Sequence, residues 1–141
     1  MKRNMKTWFL EALNAEEKKA IPILSFPIVN KMGITVSELL NSSESQARGM
    51  KEIADSVDSW ISVSFMDLSV EAEAFGAKVR FEENEVPTVI GKLLESHEDA
   101  DALKIPEVGS ARTGMYVDGI RLAVDIIEDR PVLAGCIGPF S

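Results

Sequence analysis

Apolar residues along the chain alternate between helical spacing and short continuous runs. Trp8, Phe9, Ala12 and Leu13 sit at helical spacing and predict a helix from about Lys6 to Leu13. Ile21-Pro22-Ile23-Leu24-Ser25-Phe26-Pro27-Ile28-Val29 is a short, proline-flanked apolar run, which predicts a first buried strand. Ala47, Met50, Ile53, Ala54 and Val57 form the stripe of a second helix over Glu44 to Val57, with Ser42 or Ser43 as N-cap. Trp60-Ile61-Ser62-Val63-Ser64-Phe65-Met66 reads as a second buried strand. A short helix from about Leu68 to Phe75 follows, closed by Gly76, and Lys78-Val79-Arg80-Phe81 predicts a small extra strand. Glu82 to Gly109 is irregular and acidic, with a short helix predicted at Ile90-Leu94. Thr113 to Glu128 carries the clearest helical pattern, through Met115, Val117, Ile120, Ala123, Val124 and Ile127, and Asp129-Arg130-Pro131 ends it. Val132-Leu133-Ala134-Gly135-Cys136-Ile137 predicts a third buried strand, and Gly138-Pro139-Phe140-Ser141 turns out of it.

Apolar strands alternating with amphipathic helices predict an α/β fold built from parallel βαβ units. Three core parallel strands with flanking helices are far fewer than the roughly eight of a closed barrel. The last strand has no covering helix after it, so parallel-sheet physics expects an exposed face there. The 141 residues therefore read as a single partial domain, the amino-terminal portion of a barrel, with an insertion at about 82–110.

Composition narrows the function classes. The chain is 45% hydrophobic and 27% charged, which is ordinary for a globular protein and argues against wholesale disorder. A net charge of −8 repels phosphate, so neither nucleic acid nor an anionic membrane surface is an expected partner. One cysteine (Cys136) and one histidine (His97) allow no intrachain disulfide and no zinc site of the usual kind within the chain. The basic start is not followed by a signal-like apolar core, and no run reaches the roughly 18 apolar residues of a membrane span. The cytoplasm is the expected compartment.

Four local patterns together resemble the uroporphyrinogen decarboxylase superfamily, which includes the decarboxylase of haem biosynthesis and methyltransferases that move methyl groups between corrinoids and thiols. Trp8-Phe9-Leu10-Glu11-Ala12-Leu13 followed by Ile21-Pro22 looks like the leading helix and first strand of that group. Phe65-Met66-Asp67-Leu68, then Glu73-Ala74-Phe75-Gly76-Ala77-Lys78-Val79, is similar to its strand-end aspartate, short helix and turn. Glu85-Val86-Pro87 fits the following loop, and Gly138-Pro139-Phe140-Ser141 resembles the family's strand exit. The resemblance implies a (β/α)8 barrel, of which this chain would be rather less than half. One departure matters. The decarboxylase carries an arginine-rich stretch after its first strand to grip substrate carboxylates, whereas Phe26 to Ile34 offers only Lys31. A substrate bearing many carboxylates needs many cationic, preferably bidentate, donors. The resemblance therefore points to the corrinoid-linked methyltransferase branch, with zinc and a corrinoid implied for the full-length protein and the zinc ligands beyond Ser141.

Asp67 is the foremost candidate for a catalytic residue. It follows an apolar strand and precedes a helix, the place where α/β barrels build active sites. The resemblance implies that it organises substrate N–H groups; the alternative is a cap accepting from Ser69 or Val70. Glu71 and Glu73 follow at i, i+2, so at most one faces the site. Ser64 either faces the barrel interior or bonds to backbone. Asn30 and Lys31 lie past the first strand, as substrate contacts or as a turn with Gly33. Met66 at the mouth, and Phe140 as an apolar wall, complete the candidate substrate-binding set. His97 in its acidic stretch reads as a solvated loop residue, and Cys136 as buried packing. The expected function is methyl transfer between a methylated cobamide and a thiol or similar acceptor. The alternatives are porphyrinogen decarboxylation and a non-catalytic half-barrel assembly module. Expected partners are a small molecule or corrinoid protein, and either a second copy or the missing half of the barrel.

Overall fold

A computed structural model describes residues 3–138. Helix α1 spans Met5–Asn14, and the Asn4 side chain caps it by accepting from the N–H groups of Lys6 and Thr7, both at 3.1 Å. It is a surface helix: Phe9 and Leu13 are exposed, while Trp8 and Ala12 are half-buried.

The first predicted strand does not form. Residues 21–25 are irregular, and Ile21 and Ile23 point to solvent. Pro22 and Pro27 remove two ladder donors, and Pro27 instead opens a short helix, α2, at Ile28–Met32. Helical geometry places Ile28 and Val29 together in the core, where they stay buried. Gly33, at φ +67°, ends the turn. Helix α3 (Val36–Leu40) starts with a capping box. Thr35 Oγ1 accepts from the Glu38 N–H at 3.1 Å, and the Glu38 carboxylate accepts from the Thr35 N–H at 2.8 Å.

Helix α4 (Ser43–Ser56) is capped by Ser42, whose hydroxyl accepts from the Ser45 N–H at 3.1 Å. Its buried face runs through Gln46, Ala47, Gly49, Met50 and Ala54. Helix α7 (Thr113–Ile126) packs along that face and contributes Gly119 and Ala123. The close approach depends on small residues. A Cβ on Gly49 would stand 2.8 Å from Phe65 Cζ, and one on Gly119 would stand 2.9 Å from Gln46 Oε1. Leu39, Leu40, Met50, Phe65, Ala123 and Ile127 form the centre of the core. Burying each large side chain contributes about 1.5–3 kcal/mol.

The second and third predicted strands do pair. Strand β1 (Ser62–Val63) lies parallel to strand β4 (Val132–Leu133), with Ser62 opposite Val132 and Val63 opposite Leu133. Two parallel strands, rather than the expected three, therefore make up the described central sheet. The connection between them holds helix α5 (Val70–Ala74), ended by Gly76 at φ +99°, and strand β2 (Lys78–Arg80). It continues with strand β3 (Thr88–Ile90) and helix α6 (His97–Ala102). β2 and β3 form an antiparallel hairpin, so Ile90 belongs to a strand and not to the helix expected at Ile90–Leu94.

Candidate functional site

Strands β1 and β4 both point their carboxyl ends at one place, and the amino-terminal end of α7 meets them there. A cleft of about 240 Å³ opens at that junction. In parallel α/β sheets this is the end where ligands bind. Its walls are mostly apolar: Phe65, Met66 and Leu68 after β1, Val117 and Ile120 on α7, and Ile137 after β4. Asp67, Glu71, Thr113 and Tyr116 supply its polar side chains.

Asp67 is buried at the foot of this cleft, and its carboxylate is fully engaged. Oδ1 accepts from the Ser69 N–H at 3.0 Å and the Ser69 hydroxyl at 2.6 Å. Oδ2 accepts from Arg112 Nη1 and from the Tyr116 hydroxyl, the latter at 3.1 Å. Arg112 also donates from Nε to Glu73 at 2.6 Å and from Nη2 to the Ser69 hydroxyl at 2.8 Å. Its guanidinium stacks on the Phe81 ring, 4.9 Å from the centroid. The Asp67 side chain is 0% exposed and that of Arg112 is 8%. A pair so deeply removed from water persists only because its lone pairs and protons are all satisfied, and no buried side-chain polar atom among the described residues lacks a partner.

This network sets the ionisation of its members. Burial alone would lower the Arg112 pKa, but the hydrogen bonds and charges of Asp67 and Glu73 outweigh it and hold the guanidinium above its usual value. Burial first, and then the Asp67 charge, push the Tyr116 phenol well above the ordinary tyrosine value, although Arg112 opposes this. Tyr116 is thus held as a neutral donor to Asp67.

The other sequence-derived candidates separate into three groups. Met66 and Glu71 line the cleft with Asp67, and Glu71 Oε1 accepts from the Ile137 N–H at 3.4 Å. Glu71 and Glu73 face different ways, as their spacing requires, with Glu73 serving Arg112. Ser64 is buried, and its hydroxyl accepts from the Gly135 N–H at 2.9 Å, tying the two strand exits together. Asn30 and Lys31 do not join them. With no strand at 21–29, both sit exposed on α2, and Lys31 pairs with Glu52 at 2.9 Å and bonds Ser56 at 2.7 Å. Phe140 lies outside the described residues. His97 is exposed and opens α6, and is not part of the cleft lining. Cys136 corrects its expectation: it is exposed and lines the cleft, in the segment that follows β4 at the open carboxyl end of the two strands.

Arg112 and Tyr116 escaped the sequence reading. The signal was present on α7, whose buried face runs Arg112, Tyr116, Gly119, Ala123, Ile127 at spacings of three and four. A polar and small-residue face of that kind is masked by the more hydrophobic stripe beside it. Among the described residues, no three His, Cys, Asp or Glu side chains converge as metal ligands would. The donors present therefore do not fit a zinc ion. The cleft is also smaller than the usual ~300–1,000 Å³ small-molecule site. No helix among the described residues is long and apolar enough to cross a membrane.

Comparison with known proteins places this geometry. The family described as Uroporphyrinogen decarboxylase (URO-D) matches residues 6–141. A solved methyltransferase from Methanosarcina mazei has a similar fold, with a TM-score of 0.74 and 20% sequence identity. The match covers 96% of this chain and 43% of that one, so the chain spans under half the length of that enzyme. No curated protein sequence matches. The match to residues 6–141 takes in the Asp67 segment, the hairpin that follows it and both parallel strands, and the chain belongs to the uroporphyrinogen decarboxylase family.

Proposed function

We propose that the chain forms the substrate-shaping front of the active site of a methyltransferase of this family, acting between a methylated cobamide and a thiol or similar acceptor. The observation that carries this reading is the complete engagement of Arg112. Among the described residues the cleft lining contains no lysine or arginine, and the arginine beside it is spent on Asp67, Glu73 and Ser69. Decarboxylation of a polycarboxylate needs free cationic donors at the site, and none is offered there. The fold likeness to a methyltransferase supports the same choice.

In this reading Asp67 is an anchor for the cleft wall and not a group that contacts substrate. It fixes Tyr116 on α7 and the start of α5, and thereby the spacing between Glu71 and the α7 face. The apolar walls exclude water from whatever occupies the cleft, which strengthens each polar contact inside. Zinc and a corrinoid belong to the reading through the family resemblance alone, since no set of metal-ligating side chains converges among the described residues. The test is to offer the full-length protein methylcobalamin with a thiol in one vessel and uroporphyrinogen in another. Loss of the methyl–cobalt absorbance without CO₂ release supports methyl transfer. Release of CO₂ from uroporphyrinogen overturns it.

A second reading, a half-barrel assembly module, draws on the outward face of α7. Val117 and Val124, seven residues apart, are exposed there. Exposed apolar side chains on one helix face favour association with a second copy or with further barrel segments.

A further inference from the structure

We propose that the cleft takes a small organic cation, an ammonium or amidinium group on a compact apolar body, with the Glu71 carboxylate as its acceptor. This rests on the cleft being the substrate site, and it adds the chemical class of what enters. The first support is a count of hydrogens. The Tyr116 hydroxyl is donated to Asp67, and the Thr113 hydroxyl is donated to the Ser110 carbonyl. Asp67 has no acceptor left, since Ser69, Arg112 and Tyr116 occupy both oxygens. Even the nearby backbone N–H groups of Gly135 and Ile137 are donated, to Ser64 and Glu71. Apart from the weak Cys136 thiol, the side chains lining the cleft among the described residues present lone pairs and no free hydrogen.

The second support is charge. Glu71 has one 3.4 Å bond to backbone and no ion pair among the described residues. Asp67, Glu71 and Glu73 set three carboxylates against the single guanidinium of Arg112, which leaves an excess of two negative charges. An anion entering here would meet an unpaired carboxylate and, among the described residues, no side-chain donor but the weak Cys136 thiol. A neutral apolar molecule would fill the space but leave Glu71 unsatisfied. A cation bearing N–H donors satisfies Glu71, and the apolar walls suit its body.

The test uses Cys136, which lines the cleft and is the only cysteine. Its alkylation by iodoacetamide reports occupancy. Benzylammonium, benzyl alcohol and benzoate are probes of similar size that differ in charge. Benzylammonium should slow alkylation at concentrations about tenfold lower than benzyl alcohol, the worth of one charge-assisted hydrogen bond, and benzoate should protect least. Glu71→Gln should remove the preference while leaving benzyl alcohol unchanged, and Glu71→Asp, which keeps the charge, should restore much of it. Equal protection by benzoate, or a preference that survives Glu71→Gln, overturns the cation while the cleft itself stands. If none of the three slows alkylation, the cleft is not a binding site and the proposed function falls with it.

Discussion

Removing the Asp67 carboxylate would leave Arg112 buried against a neutral partner. Breaking a buried pair costs about 3–5 kcal/mol, and Asp67→Asn should fall near the lower end because Glu73 still pairs with the guanidinium. Glu73, whose side chain is 24% exposed, should cost only about 1 kcal/mol as Glu73→Gln. Denaturant midpoints for the two variants check the ranking, and equal midpoints would contradict it. Tyr116 offers an independent probe, since it is the sole tyrosine. Its phenol pKa is raised in the folded chain, so its contribution is fully present below the unfolded value of about 10 and is lost as pH rises above it. The folded protein should show no tyrosinate absorbance until it unfolds, and Tyr116→Phe should flatten the alkaline decline in stability. Asp67 was legible from sequence because a carboxylate after an apolar strand is a local pattern. Its partners were not, because Arg112 and Tyr116 lie 45 and 49 residues further along the chain.

The α4–α7 pair is held by the absence of side chains as much as by their presence. Gly49→Ala gains about 1 kcal/mol of helix propensity. Against that, the new methyl meets Phe65 and Leu39, both buried and unable to retreat. Overpacking of this kind costs about 1–3 kcal/mol, so the variant should melt below the parent. A higher melting temperature would show that the contact is softer than its geometry. Helices α1, α4, α5 and α7 were legible because their spacing and caps are local signals. The first strand failed because two prolines and a short apolar run are ambiguous until packing decides, and burial of Ile28 and Val29 decided for a helix. The stripe expected on α7 was half right: Ala123 and Ile127 are buried, whereas Val117 and Val124 face outward. Apolar periodicity identifies the helix, but the face that packs against α4 was selected for small size.

Val117 and Val124 on α7 and Leu133 on β4 are exposed, apolar surface that a covering layer would bury. Light scattering should therefore give an apparent mass above the 15.5 kDa of one chain, and a stable monomer would count against the assembly reading. The family was legible across the chain because its motifs recur in order, while the site's full chemistry was not, since the chain spans 43% of the similar methyltransferase. The most direct measurement joins the cleft to the reaction. Methyl–cobalt absorbance is followed with methylcobalamin and a thiol, using the full-length protein and its Cys136→Trp variant, whose indole fills the cleft. The full-length parent should consume the methyl–cobalt bond and the variant should not. Equal rates from both, or no consumption together with CO₂ release from uroporphyrinogen, would contradict a methyl-transfer site built on the Asp67 cleft.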